Sequence, residues 1–288
     1  MNKVAIVVLG YRMAAMTDAL VARIREVVKY PHDLFVIDNG SPDGEIAKST
    51  THHCEPNRRL TGGFNYGIEK AREREQSCFV GSEEREIVRF PVTADGYMEG
   101  YPYDAVWLVC NDIQIRRNID PLFACMAWVR RQRVLGEPLG VIHPALSEGP
   151  GVWNWPHMYA NPATSGIHDA WFTDIVCPVY TREAMEVLGW QFDPALVHGW
   201  GVDLYSCFEC WQHDLRVVVC DDVEVWHKMG TTYDAGKDPE FASFDAYKAA
   251  AGGSQLAVLE PKYGAGYDKR FAAAPAEYWK RRRERAAR

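Results

Sequence analysis

The stretch Ala105-Val106-Trp107-Leu108-Val109-Cys110-Asn111-Asp112 decides the fold. An unbroken apolar run is what a strand covered on both faces requires, and the polar pair that ends it leaves a carboxylate at the strand terminus. Upstream, Val4-Ala5-Ile6-Val7-Val8-Leu9 is a second such run, and Asp18 to Val28 carries apolar residues at helical spacing. Leu34-Phe35-Val36-Ile37 makes a further strand that stops at Asp38-Asn39-Gly40-Ser41-Pro42-Asp43-Gly44, a dense turn signal. Gly62-Gly63 then precedes a helix predicted from about Phe64 to Glu75. This alternation predicts an α/β protein with a doubly wound, mainly parallel sheet, whose ligands gather outside the carboxyl ends of the strands.

Downstream, helices are predicted over Pro121 to Arg133, Arg182 to Leu188 and Val202 to His213. Strands fall at Leu139 to Ile142, Arg216 to Val219 and Val223 to Trp226, and helical pieces around Phe241 to Ala250 and Glu277 to Arg285. Between Gln76 and Tyr103 the rhythm breaks, with Ile87 to Phe90 as a short strand, and reads as an insertion on the scaffold. His143 to Phe172 is irregular but holds Trp153, Trp155, His157, Tyr159 and Trp171, the pattern of a binding loop.

With 288 residues, 47% of them hydrophobic, the chain can bury the core of one large domain, or of one domain with an appendage. A formal charge of −7 disfavours a nucleic-acid binder held by electrostatics alone. The exception is the basic cluster Lys280 to Arg285, whose ordinary reading is a solvated helix end. No apolar run is long enough to span a bilayer, and Val4 to Leu9 is too short for a signal-peptide core, so a cytoplasmic protein is expected. The contexts of Cys78, Cys110, Cys177 and Cys220 suit buried thiols. Cys207, Cys210, His213, Cys220 and His227 as a zinc cluster is the weaker reading, because the first two fall in a buried helix.

Four clusters carry candidate chemistry. Asp38-Asn39-Gly40-Ser41 is either a plain turn or a carboxylate offered to a ribose or base edge. In Asn57-Arg58-Arg59-Leu60-Thr61-Gly62-Gly63-Phe64-Asn65-Tyr66-Gly67, glycines at a helix start suit a polar ligand or close packing, and neither a dinucleotide fingerprint nor a P-loop is present. Asn111-Asp112 places a carboxylate at a buried strand end, costly unless paired, as by a divalent cation. Last, His198-Gly199-Trp200-Gly201-Val202-Asp203 precedes a helix and His227 closes a strand; Asp203 and His227 also have commonplace structural readings, as a helix cap and a buried histidine.

In order and spacing, the four together resemble the family-2-type glycosyltransferases of the GT-A fold, over roughly Val4 to His227. That resemblance implies a GT-A domain over 1–230, with a nucleotide-sugar half (1–115) and an acceptor half (116–230), followed by a C-terminal helical extension over 231–288. It implies that Asp38 contacts the nucleoside, that Asn57, Gly62, Gly63, Asn65 and Asn111 line the donor pocket, that Asp112 and His227 hold Mn2+ or Mg2+, and that Asp203 is the catalytic base of an inverting transfer. The position two before Asp112, often acidic or amide in the family, is Cys110, and Gly10-Tyr11-Arg12 replaces the usual asparagine after the first strand.

The donor expected is a nucleotide-sugar, by default a uridine one. Its acceptor is a hydroxyl on a glycan or small molecule, or a hydroxymethylated base flipped from DNA, as in phage-type DNA-modifying members; in the latter case the host-cell cytoplasm would be the location. Trp153, Trp155, Tyr159 and Trp200 are the candidate acceptor platform, since aromatic faces stack on sugars and bases alike. The rival readings are a sugar nucleotidyltransferase and a non-catalytic sugar- or nucleic-acid-binding module.

Overall fold

The computed structural model describes residues 3–78, 103–149, 155–164, 166–228, 241 and 243–287, with side chains in the first segment described to 73. Trp153, the strand expected at Ile87 to Phe90 and the side chain of Cys78 lie outside the described residues.

β1 (Lys3–Gly10), α1 (Ala14–Val27), β2 (His32–Asp38), β3 (His52–His53), α2 (Arg59–Cys78) and β4 (Tyr103–Cys110) form a parallel half in the order β3-β2-β1-β4. The apolar run of β1 is buried throughout because β2 and β4 flank it. β5 (Ile113–Gln114), α3 (Pro121–Val134), β6 (Leu139–Leu146), β7 (Ile167–Asp169), β8 (Val179–Thr181), α4 (Arg182–Val187), α5 (Val202–Gln212) and β9 (Arg216–His227) build the second half. Here β8 lies antiparallel between β4 and β6, β6 pairs parallel with β9, and β5 and β7 pair antiparallel with β9. The sheet is therefore mixed, with helices flanking it, in the α/β class that the strand–helix rhythm predicts.

Helix starts follow local chemistry. Asp120 accepts a hydrogen bond from the Phe123 amide ahead of α3, with Pro121 in the first turn, where its missing N–H costs nothing. One boundary differs from expectation in a way that matters for the site. α2 begins at Arg59, so Gly62 and Gly63 lie inside the helix and do not precede it. A Cβ on Gly63 would stand 2.6 Å from Leu9 Cδ1 and one on Gly67 would stand 2.3 Å from Val7 Cγ1, so the i, i+4 pair lets α2 lie directly on β1.

Two further expectations are corrected. The strands expected at Arg216 to Val219 and Val223 to Trp226 are one strand, β9, whose register against β6 shifts between Pro144 and Ala145. The C-terminal helical pieces are two full helices, α6 (Phe244–Tyr263) and α7 (Tyr267–Ala286). α7 belongs to the main core: Phe271 stacks on Phe208 of α5 at 4.1 Å between ring centroids, and Tyr278 meets Trp211 at 5.2 Å. Among the described residues, no helix is long and apolar enough to cross a membrane.

Candidate active site

A cleft opens at the carboxyl ends of β1, β2 and β4, lined by Leu9, Tyr11, Asn39, Asn57, Arg59, Leu60, Cys110, Asn111, Asp112 and His198. Its floor is set by two turns held against one another. Gly40, at φ +78°, has no room for a Cβ, which would meet the Asn57 backbone nitrogen at 2.5 Å. Asn39 ties the same turns, donating from Nδ2 to the Arg59 carbonyl (2.9 Å) and accepting from the Arg58 amide (3.0 Å). Asn57 accepts from the Arg59 amide at 2.7 Å. Arg12, Met13 and Arg59 all have left-handed backbones, at φ 53°, 54° and 61°. Such a conformation costs a non-glycine residue about 1 kcal/mol or more and persists where the surroundings enforce it, here in the two loops beside the cleft.

Asp112 and His227, 115 positions apart in the chain, meet at the end of β4. The antiparallel pairing of Ile113 with His227 places them side by side, and His227 Nε2 stands 3.4 Å from Asp112 Oδ2. Asp112 Oδ1 and His227 Nδ1 are buried without a hydrogen-bond partner. Burial pulls the His227 pKa down, but the hydrogen bond and charge of Asp112, with the charge of Asp174, outweigh it and leave the pKa raised. A carboxylate and an imidazole so spaced, with atoms still unsatisfied, are compatible with two ligands of one divalent cation. Among the described residues, no three histidine, cysteine or acidic side chains converge as a metal cage, so the protein would supply this pair and leave the remaining positions to other ligands.

Asp203 sits in the first turn of α5, where Oδ1 accepts from the Gly201 amide (3.1 Å) and the Leu204 amide (2.9 Å). Burial first, then the charge of Asp174, pushes its pKa up to about 8 against these stabilising bonds. Asp174 therefore bears on both His227 and Asp203, and its own pKa is raised by burial and by Asp112, with His227 opposing. The sequence reading missed Asp174, which follows the irregular stretch with no motif around it. Strand pairing leads the chain toward it. β8 pairs with β4 as Ala105 with Thr181 and Trp107 with Val179, and the pairing runs on through Leu108 N to Pro178 O (3.0 Å) and Cys110 N to Val176 O (2.8 Å). Asp174 follows two residues beyond the last of these bonds, past a turn at Ile175 and Val176, near enough to Asp112 and His227 for their charges to act on it.

The other expected site residues divide between the cleft wall and positions away from it. Asp38 is buried, its Oδ2 accepting from the Ser41 amide (2.9 Å) and paired with His53 Nδ1 (2.8 Å), and the neighbouring Asn39 is the residue on the cleft wall. Asn65 does not line the cleft: its amide exchanges two hydrogen bonds with the Phe192 backbone, at 2.9 and 2.8 Å, and pins that segment to α2. Asn111 is on the wall and donates to Thr17 Oγ1 at 3.1 Å. Trp200 meets Tyr247 of α6 edge-on at 6.2 Å, and Tyr159 packs against the core beside Leu146. Trp155 stands apart from both, in a cluster with His157, Trp171 and Phe172. Arg59, Tyr11 and His198 also line the cleft; the sequence holds them inside or beside its motifs, yet nothing in it singles them out as site residues. Cys207 and Cys210 are buried free thiols inside α5, and among the described residues they do not group with His213, Cys220 or His227 as a metal site.

No protein-family model and no curated protein sequence matches the chain. Solved structures do. The chain is similar to GalNAc-T7, solved with UDP, GalNAc and Mn2+, at 13% identity and a TM-score of 0.53, over 79% of this chain and 44% of that one. It is similar to S. aureus TarS at 12% identity and a TM-score of 0.51, over 90% of this chain and 43% of that one. A weaker likeness, at a TM-score of 0.48 and 14% identity, is to the mannosyltransferase PcManGT from Pyrobaculum calidifontis, over 95% of this chain and 74% of that one. The fold is that of the GT-A glycosyltransferases. The chain spans less than half the length of the GalNAc-T7 and TarS chains.

Proposed function

We propose that the protein is a divalent-cation-dependent glycosyltransferase that moves a sugar from a nucleoside diphosphate to a hydroxyl acceptor with inversion. The observation that carries this reading is the convergence of Asp112 and His227, 3.4 Å apart with buried unsatisfied atoms, at the carboxyl end of a GT-A sheet. Mn2+ is the ion favoured by a mixed carboxylate and imidazole pair, and the Mn2+ and UDP in the GalNAc-T7 structure support that choice and a uridine donor.

Asp112 and His227 would hold the cation, which when bound neutralises the charge of the departing diphosphate. The residues of the chain do the rest. Tyr11, Asn57, Arg59 and Asn111, which line the cleft, would enclose the donor there. Asp203 takes the acceptor hydroxyl's proton as that oxygen bonds to the anomeric carbon and the carbon–diphosphate bond breaks on the opposite face. A carboxylate with a pKa near 8 is a stronger base than an ordinary one, and general-base assistance contributes about 10²–10⁴-fold.

The test is release of nucleoside diphosphate from a panel of UDP- and GDP-sugars with Mn2+, in wild type and in Asp112→Ala and His227→Ala. Release by the wild type alone is expected. Silence across the panel removes the reading, and pyrophosphate release from a sugar phosphate and a nucleoside triphosphate would replace it with a nucleotidyltransferase.

A further inference from the structure

Four of the seven large apolar side chains that stand exposed among the described residues lie on α3 or at its two ends: Ile119, Phe123, Val134 and Leu135. They are not its core face, because the helix already buries Leu122, Cys125, Met126 and Val129 over β6 and β9. At about 100° per residue, Phe123, Ala127, Arg130 and Val134 fall within about 60° of one another, one outward stripe about 16 Å long. Phe123 leaves 59% of its surface to solvent and Val134 leaves 87%. A helix that is apolar on both faces is ordinarily covered on both. α3 is covered on one.

Charge says what covers the other. From Arg116 to Leu135 the sequence holds five arginines and one acidic residue, in a chain whose formal charge is −7. That residue, Asp120, is engaged by the amides of Phe123 (2.9 Å), Lys29 (2.5 Å) and Tyr30 (2.9 Å). Arg117 pairs with Glu224 at 2.9 Å and Arg133 with Glu183 at 2.5 Å. Arg116, Arg130 and Arg131 are instead held over the rings of Trp226, Tyr30 and Trp128, at 4.1, 5.2 and 4.6 Å, which orients a guanidinium without neutralising it. The basic end of α7 abuts the far end of the stripe, where Arg282 donates to the Gly136 carbonyl at 2.7 Å. An apolar stripe edged by cations is complementary to an anionic bilayer surface, whose acyl boundary takes the apolar groups while its headgroups meet the guanidinium ions. A second copy of the chain is disfavoured, since a two-fold contact joins a patch to itself and would set arginine against arginine. A nucleic-acid duplex would meet the arginines and leave the apolar stripe unmatched. We propose that α3 docks the protein on an anionic membrane surface, with Phe123 and Val134 in the acyl boundary and Arg116, Arg130 and Arg131 on lipid phosphates.

The experiment sediments the full-length chain with vesicles of phosphatidylcholine alone and of phosphatidylcholine mixed with phosphatidylglycerol. Binding to the mixed vesicles and not to the neutral ones is expected, and it should weaken as salt rises. Phe123→Ser combined with Val134→Ser should weaken it about tenfold or more, and Arg130→Gln combined with Arg131→Gln about fivefold per arginine, each with the melting transition of the wild type. All four residues are exposed, and the arginine pair decides alone if the serine pair fails to fold. The inference is overturned if the mixed vesicles do not bind, if the neutral ones bind equally, or if the variants bind as the wild type does. A DNA duplex bound more tightly than the mixed vesicles, or a dimer in sedimentation velocity that the serine pair disrupts, would assign the stripe to another occupant and overturn it as well.

Discussion

At the scale of single residues, Asp203 couples reactivity to stability. Its pKa near 8 means that, between the ordinary carboxylate value of about 3.9 and 8, the folded chain holds a proton that the unfolded chain has released. Stability from this group is therefore lost as pH rises through that window. Asp203→Asn keeps an oxygen for the Gly201 and Leu204 amides and cannot ionise. We expect it to lose about 10²-fold or more in transfer while gaining melting temperature over wild type, the gain widening from about pH 5 to about pH 9. A constant difference across that range would place Asp203 in solvent. His227 gives the opposite sign: its raised pKa makes the proton a competitor for the cation, so Mn2+ should bind more weakly below neutrality than above it, with proton release measurable by calorimetry in two buffers. Affinity that ignores pH would remove His227 from the ligand pair. Asp112, Asp203 and His227 were legible as candidates because they punctuate strands and helices in a recognisable order. Asp174 was not, since no motif surrounds it and only the folded packing beyond β8 carries it near Asp112.

At the scale of elements, the strand–helix rhythm was legible because β1 and β4 are apolar without interruption and α2 keeps helical periodicity. What periodicity could not reveal is why α2 carries Gly63 and Gly67: their purpose lies in β1, which the helix touches. Gly67→Ala gains up to ~1 kcal/mol of helix propensity but sets a methyl 2.3 Å from Val7 Cγ1. We expect a net loss of ~1–3 kcal/mol in chemical denaturation, as for an overpacked core; an unchanged midpoint would mean that helix and strand can separate at little cost. Asn65 teaches the same lesson. Its amide reads as a ligand group in sequence, yet it serves as a clamp on the Phe192 backbone, a partner 127 positions away.

At the scale of the whole molecule, α7 is the element whose importance the sequence understated. Pro275 interrupts its hydrogen-bonding pattern and its end is strongly basic, both signs of a frayed appendage. The helix nonetheless runs through Pro275, because Phe271, Ala274 and Tyr278 are fully buried against the body of the fold. Phe271→Ala should cost ~3–5 kcal/mol and lower the single unfolding transition of the entire chain; a separate early transition would mark α7 as an independent unit. The antiparallel strand β8 has a different reach. Two backbone hydrogen bonds, Leu108 N to Pro178 O and Cys110 N to Val176 O, extend its hold on β4 past its own end, and the chain then turns at Ile175 and Val176 before it reaches Asp174. A deletion between Asp174 and Val179 would have to break one of those bonds or rebuild the turn, whereas an exchange of side chains there leaves both in place. Descendants of this chain can therefore retune this corner of the site by exchanging amino acids, whereas a change in the segment's length would displace it.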